Sequence, residues 1–520
     1  MTEPPATGPP RRRVVTEAVV DEATAGRALE PRAGLVLERG VGVGVGEFEA
    51  VAGPLTAYRR QVSRSASTSA NDGGLVQVRQ VVEYEITLPY FAWLFALPVR
   101  RHLARLEPPA GLPWWAPADR LDARAAVTLA TLCAVSMVTG YLGTVLTQTI
   151  TFAADEFGAG QAAQGVALAA VRADVIITVA LVALADRRGR RRLLLGSAAL
   201  GCVLTAVAAL APSLAALAGV QVLARSFVTA AALLVAIVAA EEMPAGGRAY
   251  AVSLLGMSAA VGAGVCVLLL PVADLGLRSW RLVFAAALLG LPVVASAARR
   301  LPESRRFRAP HAAVPMAGHG ARFWLLATSA FLFNVFFSPA SQFQNEYLRS
   351  ERGFSAGRIS LFTVATGVPG GIGVVVGGRL AERGRRRVGA AALVFGVAAT
   401  VVVYRVAGWP LWAWSVFGSV IGAATIPALG VYGPELFPTS LRGRANGVIG
   451  VLGRVGSVVG LVAAGTLSAG EGGRLGPVMS VLALGPLALA TLVLAAYPET
   501  AHRELEDINP EDAPPAVLST

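Results

Sequence analysis

Apolar stretches of about 20 residues recur along most of this 520-residue chain, and they constrain its fold more than any other feature. A helix of that length crosses the hydrocarbon layer of a bilayer, which is about 30 Å thick. Hydrophobic residues make up 54% of the chain and charged residues only 15%, against about 25% charged in an average soluble domain. These features predict an all-α polytopic membrane protein with about twelve transmembrane helices.

Changes of composition divide the chain into seven segments. The N-terminal residues are rich in Pro, Thr, Glu and Ala without helical or strand periodicity, which is typical of a disordered chain. The predicted segments are a disordered tail (1–34), a small β segment with an interfacial helix (35–106), a linker (107–123), a first six-helix half (124–298), a central loop (299–320), a second six-helix half (321–497) and a tail (498–520).

Alternating apolar residues indicate strands before the first transmembrane helix. Val76, Val78, Val82, Tyr84 and Ile86 stand at even spacing, which is the period-2 pattern of a half-buried strand. A shorter candidate at 55–62 precedes it, and the polar stretch 63–74 lies between them as a turn. The two candidates predict a β hairpin or a small sheet.

The next segment, residues 88–106, begins with aromatic and aliphatic residues and ends with arginines. It fits an interfacial helix, with its aromatic side in lipid and with Arg100, Arg101 and Arg105 at the head groups. It fits equally a helix that closes the β layer, and the pattern does not distinguish the two.

The positions of the arginines predict the orientation of the chain in the membrane. Clusters at 187–192, 299–308, 383–387 and 442–444 all follow even-numbered spans. Arginine-rich loops stay in the cytoplasm, so these loops, both chain ends and the β segment are predicted to be cytoplasmic in a multi-pass protein of the plasma (inner) membrane. Because the basic residues lie in loops and not on one soluble face, the net charge of +12 does not indicate a nucleic-acid partner.

Neither a disulfide framework nor a metal centre is expected. The three cysteines fall inside predicted spans, and the four histidines fall outside them. No cluster of metal ligands results, so we expect no cofactor, and an enzyme is the least favoured function class. Any active transport would then draw on a proton or ion gradient.

Three short patterns recur at one common displacement, which indicates an internal repeat. An even number of spans separates the copies, so the two halves are predicted to be parallel repeats with the solute path between them. The pairs are Ala185-Asp186-Arg187 with Ala381-Glu382-Arg383, Gly247-Arg248-Ala249 with Gly443-Arg444-Ala445, and Pro302-Glu303-Ser304 with Pro498-Glu499-Thr500.

These motifs resemble those of the major facilitator superfamily, over roughly residues 120–508. The stretch Leu184-Ala185-Asp186-Arg187-Arg188-Gly189-Arg190-Arg191 is similar to the signature between the family's second and third helices. Two departures occur: Val182 stands where a glycine is usual, and the second copy at 378–385 is one residue shorter. The sequence Glu435-Leu436-Phe437-Pro438-Thr439 and the two Pro-Glu motifs resemble the sugar-porter and the aromatic-acid or organic-ion branches. The resemblance implies a transporter.

The resemblance also implies that the loop residues form a cytoplasmic gate. Asp186 would lie near the amino end of the eleventh helix, where the helix dipole favours a carboxylate, and the arginines would pair with glutamates at helix ends. Exposed pairs are worth about 0.2–1 kcal/mol each, so a few could close the cytoplasmic side and still open on substrate binding. The gate residues expected are Asp186, Arg187, Gly189, Arg190, Glu241, Arg248, Glu303, Glu382, Arg383, Arg385, Glu435, Arg442 and Glu499.

Four charged residues lie deep inside the predicted spans. Arg172 and Asp174 precede Asp186 by about twelve residues, which places them roughly 18 Å from the cytoplasmic end of the second span, near mid-membrane. Arg225 and Arg454 lie near the middle of the fourth and eleventh spans. An ionisable group at this depth costs at least about 2.5 kcal/mol and normally faces a cavity or a partner. The four residues therefore indicate a polar interior.

We expect Asp174 to pair with one of these arginines, either in a bond exchanged for a proton or substrate or in a permanent structural bond. Three arginines against one aspartate leave a cationic excess, which predicts an anionic or carboxylate-bearing solute. The first span lacks the aspartate that sugar porters usually carry there, so the alternatives are uniport and coupling through Asp174. Further residues expected to face the solute are Tyr141, Gln148, Asn334, Phe337, Gln342 and Gln344.

Two classes of function stay open. The first is a secondary active transporter or facilitator, expected to be monomeric, that moves a small organic solute by alternating access; efflux of drugs or metabolites by proton antiport is a variant of it. The second is a transporter-like receptor in which the β segment reads solute occupancy.

Overall fold

A computed structural model describes residues 12–41, 46–66, 75–86, 88–107, 111–113, 115–117, 119–244, 247–303, 318–381, 383–470, 472–500 and 508–509. In this part of the chain, a small β-rich domain is followed by two sets of membrane helices.

Twelve helices in the described residues are long and apolar enough to cross a membrane. They confirm the predicted polytopic fold of two six-helix halves. Numbered as spans 1 to 12, they are Ala123–Phe157, Gln161–Ala185, Arg190–Ala208, Leu214–Ala239, Tyr250–Leu275, Trp280–Arg300, Gly320–Glu351, Ala356–Ala381, Arg385–Val403, Trp409–Leu429, Ala445–Gly470 and Leu475–Ala496.

Some spans are interrupted or continue beyond the apolar window. Span 2 consists of the helices Gln161–Val171 and Asp174–Arg188, and span 8 of Ala356–Gly367 and Gly370–Ala381. Span 11 is one long helix, Thr439–Gly470. The break in span 2 is the one that bears on the functional site, because it falls between two of its charged residues.

The two halves share a hydrophobic core at only one end of the described bundle. Each half has six spans and so begins and ends on the same face, here called the terminal face; the other is called the opposite face. One buried cluster combines Trp280 and Phe284 of the first half with Phe336 and Tyr347 of the second. Two further clusters each lie within a single half. These separate clusters contain the terminal-face ends of the spans, so the halves are packed together at the opposite face and diverge toward the terminal face.

A five-stranded antiparallel sheet with the order β1-β5-β4-β3-β2 precedes the spans. The predicted hairpin is present as β4 and β5, which pair antiparallel with Val62 opposite Gln80. The elements are β1 (Arg12–Asp21), α1 (Glu22–Ala28), β2 (Leu37–Gly40), β3 (Glu47–Ala52), β4 (Leu55–Ala66), β5 (Leu75–Ile86) and α2 (Ala92–Leu103).

The prediction of a disordered tail over residues 1–34 is wrong from Arg12 onward. Strand β1 pairs with β5 along its whole length, from Arg12 opposite Tyr84 to Asp21 opposite Leu75. Val14 is the single buried residue of β1. The strand is therefore held by its hydrogen-bonded ladder with β5 and not by its own apolar side chains, which is why its pattern in the sequence is weak. Residues 1–11 lie outside the described part.

The sheet encloses a buried ion pair between Arg60 and Glu38. Arg60 Nη2 lies 2.6 Å from Glu38 Oε2, and both side chains are fully buried. The guanidinium also donates to the carbonyls of Ala28 and Glu30, at 2.7 Å each. Tyr58 Oη donates to Glu38 Oε1 at 2.5 Å, and burial together with the Glu38 carboxylate raises the pKa of Tyr58. With its hydrogen bonds satisfied, this pair specifies how β4 packs against the loop before β2.

Helix α2 both covers the sheet and presents an apolar surface. Val99 and Leu103 pack into the core of the sheet, and Gln80 Nε2 donates to the Leu103 carbonyl at 2.9 Å. On the other side, Trp93, Leu94 and Leu97 are exposed. The helix therefore closes the β layer, as one of the two alternatives predicted, while its outer surface keeps the composition of an interfacial helix.

The β-rich domain is attached to the first half of the bundle. Arg120 donates to the carbonyls of Gly34 at 2.9 Å and Ala33 at 2.6 Å. Tyr250 Oη of span 5 donates to the Trp115 carbonyl at 3.0 Å. These contacts fix the domain beside spans 1 and 5.

Candidate functional site

Span 2 breaks at Arg172 and Ala173, near the middle of its length. Arg172 ends the first helical piece, and Asp174 is the first residue of the second. A carboxylate in the first turn of a helix is favoured by the helix dipole, so the break itself stabilises Asp174 at this depth. The break thus supplies two charged side chains where a continuous apolar helix would present none.

Asp174 forms an ion pair with Arg454 of span 11, which joins the two halves. The other carboxylate oxygen, Oδ2, accepts a hydrogen bond from Thr229 Oγ1 of span 4 at 2.9 Å. The Asp174 side chain is 6% exposed and that of Arg454 is 30% exposed. The aspartate is therefore enclosed by its partners, while the arginine also faces open space between the halves.

The other two arginines of the sequence prediction lie close to this pair. Arg225 of span 4 donates to the backbone carbonyl of Gly143 in span 1. Arg172 Nη2 donates to Ser338 Oγ of span 7 at 3.3 Å, a second bond between the halves. The charges of Arg172, Asp174 and Arg454 all act on Arg225. Three positive charges thus surround one negative charge, and two of the arginines have only neutral hydrogen-bond acceptors among the described residues.

A buried glutamine beside this cluster was missed in the sequence. Gln221 lies four residues before Arg225 on span 4, so both point to the same face of the helix. Gln221 is fully buried, and neither of its amide atoms has a hydrogen-bond partner among the described residues. An amide left in this way is costly unless a ligand or water satisfies it. Its spacing from Arg225 was the signal available in the sequence. Thr229 is also four residues from Arg225. Both residues were missed because they are uncharged.

Asn334 and Phe337 lie on span 7 next to span 11. Asn334 Oδ1 accepts a hydrogen bond from Ser457 Oγ at 3.3 Å, one turn beyond Arg454. Phe337 stacks on Phe333 with ring centroids 4.1 Å apart and meets Phe336 edge to face at 5.4 Å. Asn334 therefore borders the charged cluster, whereas Phe337 is engaged with other aromatic rings.

Four other residues predicted to face the solute lie elsewhere or have partners in the protein. Tyr141 is buried and its hydroxyl donates to the Val283 carbonyl at 2.6 Å, within the first half. Gln342 Oε1 accepts from Thr147 Oγ1 at 2.7 Å. Gln148 accepts from Asn345 Nδ2 through its backbone and side-chain oxygens, at 3.0 Å each. Gln344 is partly buried. The structure places Gln148 and Gln342 in contacts between the halves, on the opposite-face side of the cluster.

Those two glutamines belong to a set of contacts that seals the opposite face. Arg349 Nε lies 2.6 Å from Asp155 Oδ2. Gln164 Nε2 donates to the buried carboxylate of Glu346 at 3.1 Å. The seal was not predicted, because its residues are ordinary polar residues near helix ends and no local pattern distinguishes them.

Asp274 extends the seal at the start of span 8. Its two carboxylate oxygens accept from the backbone N–H groups of Ala356 and Gly357 at 2.7 and 2.8 Å. A carboxylate of the first half thus caps the amino end of a helix in the second half, where the helix dipole favours negative charge.

The ion pairs described at the terminal face join helices within one half. In the first half, Arg190 pairs with Glu241, and Glu303 accepts from the backbone N–H of Arg191 at 3.0 Å. In the second half, Arg385 pairs with Glu435, and Glu499 accepts from the N–H of Arg385 at 3.0 Å. The same arrangement occurs in both halves, as a repeat requires.

The remaining gate candidates are only partly described. Gly189 joins spans 2 and 3 with φ +104°, and a Cβ there would lie 3.1 Å from Glu303 Oε2, so the position favours glycine. Arg383 is exposed at the start of the equivalent loop. The side chains of Asp186, Arg187, Arg248 and Arg442, together with residue Glu382, lie outside the described part.

Comparisons with known proteins identify what this arrangement resembles. Residues 323–519 match the family model of the Major Facilitator Superfamily. No curated protein matches the chain. The resemblance inferred from the sequence motifs is confirmed.

Solved structures match between 71% and 74% of this chain. The inward open conformation of the xylose transporter XylE from E. coli has a TM-score of 0.62 and 16% identity, covering 74% of this chain and 98% of that one. A bacterial homologue of the human lysosomal transporter Spinster, inward-facing and unoccupied, has a TM-score of 0.57 and 17% identity, covering 71% and 94%. The nucleoside transporter NupG has a TM-score of 0.60 and 12% identity, covering 71% and 100%. At these identities the likeness shows the fold.

Proposed function

We propose, on the premise that this chain is a membrane transporter of the major facilitator superfamily, that it moves a small organic solute with an anionic or carboxylate group by alternating access. The solute would bind between the halves, at the cluster formed by Arg172, Asp174, Arg225 and Arg454. The observation that carries this proposal is the ion pair between Asp174 and Arg454, which joins the two halves at mid-depth beside two further arginines.

The excess of positive charge supports an anionic solute. Arg172 and Arg225 donate only to a hydroxyl and a carbonyl among the described residues, so neither is neutralised by a bond to a carboxylate. A carboxylate on the solute would supply that charge in a site of low dielectric, where charge-assisted hydrogen bonds are strong. Gln221 and Asn334 would add neutral hydrogen bonds to other parts of the solute. Tyr141, Gln148, Phe337, Gln342 and Gln344 would contribute less directly, through packing and through the seal.

Binding of the solute would be coupled to movement of the halves through Arg454. A solute carboxylate that takes the place of Asp174 at Arg454 would break one bond between the halves and make another. A ligand shifts a conformational equilibrium only by its difference in affinity for the two states, and the pair supplies such a difference. Asp174, released from Arg454, would then accept a proton. We propose this route of proton coupling in preference to one through a residue of span 1.

The state described here is closed at the opposite face, and the arginine-rich loops support a cytoplasmic location for the terminal face. We therefore infer an inward-facing state in the plasma membrane, with both chain ends cytoplasmic and the protein acting as a monomer. In the outward-facing state, the terminal-face residues Asp186, Arg187, Arg190, Arg248, Glu382, Arg383, Arg385 and Arg442 would form bonds across the halves, with Glu241, Glu303, Glu435 and Glu499 as helix-end partners.

Counterflow in proteoliposomes tests this function. Labelled organic anions, cations and neutral solutes of similar size are compared in the wild type, in Arg454→Gln and in Arg405→Gln. Arg405 is the matched control, since it is exposed after span 9 and hydrogen-bonded to Ser480 at 2.6 Å. We expect anion counterflow that falls at least tenfold in Arg454→Gln and is unchanged in Arg405→Gln. Equal rates in the two variants would remove the proposed site.

A solute receptor is the second candidate, and the attachment of the β-rich domain to one half favours it. Arg120 and Tyr250 bind this domain to spans 1 and 5, so a movement of the first half would carry the domain along. In this case the same anions would bind to the purified protein while counterflow stays at background. Counterflow that depends on an imposed proton gradient would instead favour proton-linked transport, including efflux by antiport.

A further inference from the structure

A groove lined by apolar side chains runs between helix α2 and spans 1 and 5. Its volume is about 410 Å³, and it is lined by Trp93 and Leu94 of α2, by Leu129 and Met137 of span 1, and by Leu254 of span 5, among others. A second groove of about 410 Å³ continues from Trp93 along spans 1, 5 and 6 as far as Leu142. Neither groove contains a residue of the charged cluster between the halves.

The two grooves together extend from the terminal face into the depth of the bilayer. They follow span 1 from Ala126 to Leu142, which at 1.5 Å per residue is about 24 Å. A hydrocarbon layer is about 30 Å thick, so this length exceeds one leaflet. The occupant of such a surface within the bilayer is an acyl chain, because contact between water and its apolar walls is unfavourable.

Arginines stand where the head group of such a lipid would be. On α2, Arg100 follows Trp93 by seven residues and Arg101 follows Leu97 by four, so the arginines continue the exposed apolar stripe. They are about 10 Å farther along the helix axis than Trp93. Arg100 and Arg101 are both exposed. The stripe therefore changes from apolar to cationic along its length, as the leaflet changes from acyl chains to phosphates.

A further arginine comes from the end of span 6. Arg300 Cζ lies 5.6 Å from the centre of the Tyr90 ring, and Tyr90 lines the second groove. Tyr90 has φ +65°, a conformation that is unusual for a residue other than glycine. This turn leads into α2, and Tyr90, Phe91 and Trp93 line the second groove together with residues of spans 1, 5 and 6.

We propose that this surface is a binding site for an anionic phospholipid of the bilayer, with an acyl chain in the grooves and the phosphate at Arg100 and Arg101. The charge complementarity between these arginines and an anionic head group identifies the lipid class. The lipid holds α2, and with it the β-rich domain, against the membrane surface. This site is separate from the charged cluster, so it does not depend on the proposed transport function.

Quenching of Trp93 by brominated lipids tests the site. The full-length protein is reconstituted in nanodiscs that contain a small fraction of brominated phosphatidylglycerol or of brominated phosphatidylcholine. The variant Trp93→Phe isolates the contribution of Trp93 by subtraction, since the chain has eight tryptophans. Because Trp93 is 73% exposed, its replacement leaves the packing of the domain intact. We expect at least twofold stronger quenching of Trp93 by the anionic lipid.

Two pairs of arginine substitutions complete the test. Arg100→Gln with Arg101→Gln is expected to make the two lipids quench equally, whereas Arg59→Gln with Arg64→Gln, which removes two exposed arginines of β4, keeps the preference. Native mass spectrometry of the wild type and of both double variants gives an independent count of retained anionic lipid. Equal quenching by the two lipids in the wild type, or a preference that survives in Arg100→Gln with Arg101→Gln, would overturn the proposal.

Discussion

Gly165 of span 2 and Gly465 of span 11 lie against each other where the two halves meet near the opposite face. A Cβ added to Gly465 would stand 3.2 Å from the Cα of Gly165 and 2.8 Å from the carbonyl oxygen of Gln161. A Cβ added to Gly165 would stand 2.6 Å from the carbonyl oxygen of Leu461. The backbones of the two halves are thus in direct contact, and closure of the opposite face depends on the absence of side chains at both positions.

Replacement of Gly465 by leucine should open the opposite face, because the added side chain has no space in the closed state. The reporter is Gln342→Cys, a position buried in the seal, in a chain whose three cysteines are all buried. We expect a membrane-impermeant maleimide added at the opposite face to label the reporter at least fivefold faster in Gly465→Leu. Gly450→Leu on the same helix is the control, since nothing lies within 4 Å of a Cβ at Gly450. Equal rates in both variants would contradict the proposed role of this contact.

The two partners of the central ion pair should respond differently to substitution. Asp174→Asn leaves three arginines without their carboxylate, so an anionic ligand should bind more tightly, by about tenfold, while turnover falls. Arg454→Gln removes positive charge and should weaken binding of the same anion. Calorimetric titration with the best anion from the counterflow panel measures both changes. If the two substitutions changed affinity in the same direction, Asp174 would not compete with the solute for Arg454.

The buried pair in the β-rich domain should be more sensitive than an exposed pair on the same strand. Arg60→Met leaves the Glu38 carboxylate buried without its partner, which typically costs about 3–5 kcal/mol. Arg59→Gln removes an exposed pair with Glu47, worth at most about 1 kcal/mol. Hydrogen exchange of β4 and β5 should speed up strongly in Arg60→Met and little in Arg59→Gln. Similar protection in both variants would show that the pair contributes little to the stability of the domain.

The stability of the β-rich domain should fall in mild acid because of His102. Burial, followed by the charges of Arg32 and Arg105, lowers the pKa of His102 below its ordinary value of 6.5. The unfolded domain then binds a proton more readily than the folded one. The free energy of unfolding therefore has its full value above pH 6.5, where His102 is neutral, and decreases as the pH falls below 6.5. Hydrogen exchange at pH 7.5 and 5.5 should show a larger loss of protection in the wild type than in His102→Phe. An equal loss would exclude His102 as the source.

Long apolar segments made the twelve spans predictable, because a helix that must cross a bilayer needs a length and composition that few other structures share. Depth along a helix was also predictable, which brought Arg172, Asp174, Arg225 and Arg454 into one candidate cluster. Depth does not reveal which way a helix faces in the bundle, so the choice of Arg454 as the partner of Asp174 required the structure.

The residues that sequence reasoning missed are neutral polar residues of the charged cluster and residues of the seal. Glu346 acquires its role from Gln164 on another helix, which the chain does not reveal locally. Gln221 and Thr229 each stand four residues from Arg225 and were passed over because they are uncharged. Strand β1 was missed because it depends on β5, about 60 positions later, for its hydrogen bonds. Gln148 and Gln342, which were predicted to face the solute, form hydrogen bonds between the halves in this state, and their role toward the solute stays a prediction.

Access to the charged cluster from each face of the membrane tests the central claim most directly. Thr229→Cys places a thiol beside Asp174, at a position that is partly exposed. In vesicles of known orientation, we expect an impermeant reagent to label this thiol from the terminal face, and the added substitution Gly465→Leu to shift labelling to the opposite face. Labelling at the same rate from both faces in both proteins, or from neither face in either, would contradict a solute path that is open to one side at a time.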